Sequence, residues 1–470
     1  MQVQSMFFKK TAGLKLNDPV LQNAMKRAKG KFVDGRAAGV AEIDNWEAIR
    51  SHAAALRDRV IQNLDAYLLE FERNATRRGA VVHWAETAAE ANAIVVDIAR
   101  QRGVKTAAKS KSMVSEEIAL NDALEAAGIR VMETDLGEYI LQLAKEPPSH
   151  IVAPAVHKSK EQVADLFAAH HGKPRETSIP ALTREAREVL REHFLTADMG
   201  ISGANFIIAE TGTTLTVTNE GNADMVTTLP RIHCVITGIE KVIPTLEDFA
   251  TLIRLLPRSA IGQSIANYLT LTTGTRAADE HEGPEEMHIV LVDAGRTSLL
   301  GGEMQSMLRC IRCGACMNHC PVYQNVGGHA YGWVYPGPMG SVLTPAYVGI
   351  ENAGDLPNAA TFCGECQVVC PVKIPLPDLM RKWRERQFDW RLRPLGERVA
   401  LSLWGFVVTR PRLYAGLTRA AARVAAWLGG RDRLIRRLPG LDGWTKGRDM
   451  PAPAGKTFRE LYVAKQKARP

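Results

Sequence analysis

The chain has 470 residues, 46% of them hydrophobic and 23% charged. That balance excludes a disordered, collagen-like or small disulfide-scaffold protein, and the length allows two or three domains, each with its own core. The formal net charge is +8, but residues 381–470 hold 22 Lys/Arg against 7 Asp/Glu, a surplus of 15, so the first 380 residues carry −7 and the basicity belongs to the tail.

The first 75 residues read as helical. Over residues 45–72, Leu56, Val60, Leu64 and Leu68 recur at four-residue steps with Arg and Asp between them. From residue 79 strands and helices alternate: strand 79–84, helix 87–102, strand 104–108, helix 114–127, strand 130–133 and strand 150–153. That alternation predicts an α/β domain with a parallel sheet covered on both faces. Residues 204–239 are richer in strands, with β-branched runs either side of a turn at Thr211-Gly212 and a further strand over 231–238. Residues 288–293 read as the last strand, and Gly301-Gly302 interrupts the pattern. Four regions follow: a helical segment 1–70, an α/β domain 71–300, a Cys/Gly/Pro-rich module 303–385 and a basic region 386–470, helical to about Arg437.

The first eight residues hold no apolar run of export-signal length, and residues 399–409 are too few to cross a bilayer, which takes about 20. The expectation is a soluble, cytoplasmic protein in a reducing compartment, where thiolates persist as ligands.

Seven of the eight cysteines lie between Cys310 and Cys370. Cys310-x2-Cys313-x2-Cys316-x3-Cys320-Pro321 matches the iron–sulfur run of bacterial ferredoxins, whose fourth cysteine serves the other cluster. Cys363-x2-Cys366-x3-Cys370-Pro371 supplies the return partner. By this logic Cys310, Cys313, Cys316 and Cys370 hold cluster one, a 4Fe-4S cluster, and Cys320, Cys363 and Cys366 hold cluster two. Position 360, where the second run would begin, is Ala360. Cluster two is then either a 3Fe-4S cluster or a 4Fe-4S cluster whose last iron takes water, a side chain or a partner's ligand. Zinc knuckles pair two C-x2-C units on one ion and do not fit this pattern, and an odd count disfavours disulfides. Cys234, on a strand pattern, reads as a buried structural thiol.

Taken in order, Ser112-Met-Val-Ser-Glu-Glu117, Glu133-Thr-Asp-Leu-Gly-Glu-Tyr-Ile140, Pro148-Ser-His-Ile-Val152, Glu210-Thr-Gly-Thr213, Asp293-Ala-Gly-Arg296 and both cysteine runs resemble the lactate-utilization protein B family, nearly end to end. The resemblance implies an α/β domain similar to the sugar-phosphate isomerase and CoA-transferase superfamily, followed by a helical two-cluster ferredoxin module and the family's own basic tail. It also implies two sister proteins as partners in oxidising L-lactate to pyruvate, with this chain carrying electrons. Family members share the three-cysteine second run, so Ala360 is no departure from them.

Weaker signals have bland and functional readings. Glu210-Thr-Gly-Thr-Thr and Thr218-Asn-Glu-Gly-Asn222 read as polar turns or as pocket linings at strand ends. In the second, Glu220 is the candidate nucleophile, by likeness to the Glu of CoA transferases. Lys109-Ser-Lys-Ser112 is an anion site at a helix start or a Ser cap with two solvated lysines. His150, His157, His233, His281 and His288 lack ligand spacing, and Gly455-Lys456-Thr457 lacks the first glycine of a phosphate loop. No nicotinamide or flavin fingerprint is present, so a lactate oxidase acting alone would want a hydride acceptor. The basic tail suits an acidic partner subunit or peripheral contact with the inner face of the membrane, and no nucleic-acid module is visible. The chain thus reads as a non-catalytic electron-transfer component of an L-lactate-oxidising complex. The alternatives are an acyl- or phosphosugar-type enzyme with regulatory clusters, and an interaction protein whose clusters brace the fold.

Overall fold

The structure, a computed structural model, describes residues 2–438, 445 and 447–467. The Pro/Gly-rich end expected for the tail falls partly outside these, at 439–444, 446 and 468–470. The chain forms two compact units, Met1–Glu385 and Arg386–Pro470.

In the first unit, the helices Trp46–Gln62 and Leu64–Arg77 carry the stripe read from the sequence, and Leu56, Val60, Leu64 and Leu68 are all buried. The stripe packs into a core shared with a small sheet and the cysteine-rich segment. The central sheet has six strands: β1 (Ala80–Ala85), β2 (Thr106–Lys109), β3 (Arg130–Glu133), β4 (Met199–Gly203), β7 (Ile232–Gly238) and β10 (Glu286–Val292). All pair in parallel in the order β1-β10-β7-β4-β2-β3. Every residue of β7 is buried, as suits a central strand covered on both faces. A second sheet joins β5 (Phe206–Ile208), β6 (Thr213–Thr218), β8 (Val242–Ile243) and β9 (Tyr268–Thr272) in the order β8-β5-β6-β9. The result is a mixed α/β fold built on a parallel sheet.

Two expectations change. Residues 150–153 form a loop and not a strand. There the His150 ring accepts the N–H groups of Val152 and Ala153, each at 3.0 Å, so a side chain takes the bonds a sheet ladder would use. β4 lies where no strand was read, because its sequence Met-Gly-Ile-Ser-Gly looks weakly strand-forming. Gly200 is needed there: a Cβ would overlap the Val226 carbonyl of the helix Asn222–Thr228 packed against it.

After β10 the chain is mostly helical, with short helices Ala315–Asn318, Pro321–Val326 and Glu365–Val368 beside the longer Gly337–Val348; the helix expected to run to about Arg437 ends at Leu428, and Leu434–Ile435 pairs antiparallel with Met450–Pro451 instead. The second unit contains the helices Leu395–Val408 and Pro411–Leu428, and neither has a buried residue. Among the described residues, no helix is long and apolar enough to cross a membrane.

Candidate functional site

The cysteine runs are a structural repeat at an offset of 50 positions. Arg312-Cys313-Gly314 and Phe362-Cys363-Gly364 share one backbone path, with φ of +58° and +56° at Arg312 and Phe362 and +79° and +85° at the glycines. Each path leads into a one-turn helix, Ala315–Asn318 or Glu365–Val368, and then to a Cys-Pro. A left-handed residue other than glycine costs about 1–2 kcal/mol, so two at matching positions show the same strained path used twice. Ala360 stands where the repeat places Cys310.

All eight cysteines are free thiols. Burial pushes the thiols of Cys313, Cys316 and Cys320 up, Cys366 to about 12 and Cys370 to about 11. After burial, main-chain N–H groups act first on Cys320 and Cys370 and lower them, whereas on Cys313, Cys316 and Cys366 another sulfur acts first. Cys313 feels Cys370 and Cys310, Cys316 feels Cys310 and Cys313 first, and Cys370 feels Cys310. Cys320 feels Cys363, and Cys366 feels Cys320 and Cys363. One further interaction, Cys366 on Cys316, crosses between the two sets. Main-chain N–H groups turn toward the sulfurs: Arg312 N–H donates to Cys310 Sγ and Ile374 N–H to Cys370 Sγ, both at 3.4 Å.

This donor set fits iron–sulfur clusters. The thiols are gathered, unoxidised and met by N–H donors, an arrangement that tunes cluster potentials. It fits zinc poorly. Thiolates about 2.3 Å from a tetrahedral zinc ion lie about 3.8 Å apart, whereas among the described residues no three of these sulfurs come within 4.8 Å of one another.

Cations crowd the first set. Arg50 donates to the Cys370 carbonyl at 2.7 and 3.0 Å, and Arg36 to the Val369 carbonyl at 3.2 Å. Arg57, fully buried, donates to the carbonyls of Val242 at 2.9 Å and Leu308 at 3.1 Å, and burial lowers its pKa to about 10. Arg312 lies over the Tyr335 ring at 4.6 Å and reaches Glu240 at 3.4 Å. Glu240 in turn accepts from Arg296 at 2.6 Å, and Arg296 grips both oxygens of Glu117 at 2.9 Å while Tyr335 donates to the same carboxylate. Burial alone would raise Glu240, but Arg296, Lys241 and Arg312 hold it down at about 2. Gly238 makes room for this network, since a Cβ there would overlap both Glu240 and Arg296. The network joins the two motifs that end in Glu117 and Arg296 to the first cysteine loop. A Glu-Lys pair inside the apolar run Ile-Glu240-Lys241-Val-Ile was the signal that could have announced it.

A cavity of about 550 Å³ opens against this region. Its lining includes Lys111, Glu220, Lys241, Arg312, Cys313 and Tyr335, with an apolar wall of Ile151, Val217, Leu256 and Ile261. Burial, and then Asp135, raise the pKa of Glu220 to about 7, although its carboxylate accepts the Leu136 N–H at 3.1 Å. Burial and then Arg312 lower Lys241 to about 8.

The other singled-out residues lie elsewhere. Glu210 accepts the Leu246 N–H at 2.7 Å and so caps the helix Leu246–Ile261 away from the cavity. Lys109 is neither solvated nor an anion site, because it is buried between Glu133 at 2.6 Å and Glu116 at 3.0 Å. Ser112 caps the helix Met113–Glu117. His150 bonds Asn318 at 2.7 Å, His233 bonds Ser202, His288 bonds His83, and His281 is exposed. His157 bonds Ser149 and Glu146, and with His329 this trio is already satisfied by hydrogen bonds. Thr457 caps the helix Phe458–Lys467 through Glu460, a structural role. Cys234 is buried in β7 with its pKa pushed up to about 12, as an inert core thiol should be.

Comparison with known proteins decides the family. Residues 68–292 match the LUD domain, 306–374 the 4Fe-4S dicluster domain and 390–467 the lactate utilisation protein B C-terminal region. A lactate utilization protein B from Lysinibacillus sphaericus is 46% identical over 447 residues, 94% of each chain. The chain belongs to the lactate utilization protein B family. Family members from Oceanobacillus iheyensis, 43% identical over 454 residues, and Bacillus licheniformis, 43% over 473, match 96% and 100% of this chain and 95% and 99% of their own. A solved DUF162 family protein from Deinococcus radiodurans aligns at 12% identity with 50% of this chain and 98% of its own, at a TM-score of 0.25, too slight a likeness to carry an argument.

Proposed function

We propose that this chain is the iron–sulfur electron-transfer subunit of a system that oxidises L-lactate to pyruvate. One observation carries the reading. Two mutually interacting sulfur sets lie at a 50-position repeat, and the first is ringed by Arg36, Arg50, Arg57 and Arg312. Cys310, Cys313, Cys316 and Cys370 would hold a 4Fe-4S cluster; Cys320, Cys363 and Cys366 would hold the second, of three or four irons. Such clusters, when bound, supply one-electron transfer. The arginines place buried positive charge beside four thiolates and so favour the more negative, reduced state of the first site. Cys363 is exposed, which leaves the second site open to a redox partner. Pro321 opens the helix Pro321–Val326 directly after Cys320, and Pro371 follows Cys370, so each would shape the chain next to the last cysteine of its run.

The names of the relatives support the lactate assignment and a multi-protein system, in which two sister proteins would be the partners. The second unit would dock them, or an anionic membrane surface as the second candidate. Leu401, Leu403, Trp404 and Phe406 are exposed beside Arg398, Arg410 and Arg412. Of the α/β domain we infer a ligand-binding role and likeness to the CoA-transferase superfamily. Anaerobic purification with iron and sulfide counting, then EPR before and after adding lactate with the sister proteins, tests the reading. A colourless or zinc-loaded protein sinks it; clusters that lactate and the sister proteins never reduce would leave only a bracing role.

A further inference from the structure

We propose that the 550 Å³ cavity is a binding site for an organic monocarboxylate, anchored by Lys241 and lying against the first sulfur site. Lys241 is 6% exposed and lines the cavity. Among the described residues, no hydrogen bond or ion pair reaches its ammonium group, and its neighbours act on it only through their charge. A buried ammonium without a partner is costly unless a ligand supplies the missing anion. The other buried cations of the region are already engaged: Arg296 with Glu117 and Glu240, Arg57 with main-chain carbonyls, Arg312 with Glu240 and the Tyr335 ring.

The lining selects the class of anion. Phosphate is usually met by an arginine fork or by free N–H groups at a helix start. Here the Leu136 N–H is already taken by Glu220, the other helix start in the lining, at Met113, is a five-residue helix capped by Ser112, and no free guanidinium fork lines the cavity. A second carboxyl group, Glu220, also opposes a dianion. Lys111, the other lysine of the lining, acts on Glu220 through its charge, which leaves the Lys241 ammonium group for one carboxylate. The wall of Ile151, Val217, Leu256 and Ile261 suits a carbon skeleton, and the volume is of the size that holds small organic ligands. Glu220, whose pKa burial raises, can donate to a hydroxyl or keto oxygen on that skeleton when it is protonated.

Because Cys313 lines the same cavity, a bound carboxylate places negative charge beside the first site and stabilises its oxidised state. This second consequence rests on the assignment of Cys313 to cluster one; the binding site itself does not.

The test is calorimetric titration of the anaerobic full-length protein with pyruvate, L-lactate, octanoate and inorganic phosphate, repeated on Lys241→Met and Lys241→Arg. Saturable binding of at least one carboxylate is expected. It should weaken about 10- to 100-fold in Lys241→Met, as for loss of a charged hydrogen bond, and be largely restored in Lys241→Arg. Pyruvate or lactate as the tightest ligand ties the site to the proposed pathway chemistry; octanoate as the tightest supports a longer-chain carboxylate. No saturable binding of any carboxylate, tighter binding of phosphate, or equal affinity in Lys241→Met overturns the proposal. Iron content and circular dichroism of each variant show that it is folded and loaded. A redox titration followed by EPR should move the first site's midpoint to more negative potential when the carboxylate is added. An unmoved midpoint with binding intact overturns the coupling alone, and a protein without iron that still binds separates this proposal from the cluster assignment.

Discussion

The two sulfur sites share a backbone and differ in surroundings. Around the first, Arg50 and Arg36 hold the main chain next to Cys370, Arg312 stacks on Tyr335, and a cavity reaches Cys313. Around the second there are three sulfurs, Cys363 is exposed, and the groups acting on Cys320 and Cys366 are other thiols and main-chain N–H groups. Arg384 packs on the Phe362 ring at 4.2 Å, as Arg312 packs on Tyr335. A duplicated loop has thus been placed in two electrostatic settings, one interior and cationic, the other at the surface. Equal potentials for the two sites would erase that distinction, since local charge and solvent exposure both tune such centres.

The sharpest way to break the comparison is Cys370→Ser. It should abolish iron binding at the first site, read by iron counting and EPR, while Cys234→Ser leaves the iron content unchanged. If both variants keep full iron, the pairing across the runs is wrong. Ala360→Cys sharpens the contrast by completing the second run. It should convert any three-iron EPR signal of the second site to a four-iron one and leave the first site's signal in place. Next comes Arg296→Met, which leaves buried Glu117 without its cation and Glu240 with Arg312 as its remaining ion pair. Removing one partner of such a network costs about 3–5 kcal/mol, seen as a lower denaturation midpoint of the iron-loaded protein; an unchanged midpoint would deny the network its structural role.

Glu220 gives a smaller, pH-dependent effect. Its folded pKa, about 7, lies above the ordinary carboxyl value. The folded state therefore holds the proton more tightly, and the associated stability is full at acid pH and lost as pH rises through 7. Glu220→Gln should remove that loss, so that relative to wild type it gains about 1–3 kcal/mol between pH 5 and pH 8. Parallel stability–pH curves for the two proteins would count against it. The mildest effect concerns the basic unit. Neutralising Arg433, Arg436 and Arg437 should weaken co-sedimentation with partners or anionic vesicles by about 1 kcal/mol per charge, and salt should shrink the difference. Identical co-sedimentation at low salt would take docking away from these residues.

The repeat of the two cysteine runs was legible because it is local: the same spacing recurs 50 positions on and takes the same backbone path. The stripe Leu56, Val60, Leu64 and Leu68 and the strands β1, β2, β3 and β7 were legible for the same reason. The network of Arg296, Glu117 and Glu240 was not, because its members come from distant segments and meet only when the sheet closes. Lys241 was passed over as one more lysine; its meaning lies in the partner it lacks. Gly-rich β4 hid behind its composition, and residues 150–153 looked like a strand until the His150 side chain is seen to occupy the backbone donors.

The exchange of last cysteines between the runs has a consequence for how the protein is made. On the proposed pairing, the first centre stays a ligand short until residue 370 has left the ribosome, and the second until residue 366 has. On that pairing, metal loading of the first centre must then wait for residue 370, and a truncation anywhere before it would leave that centre unable to mature.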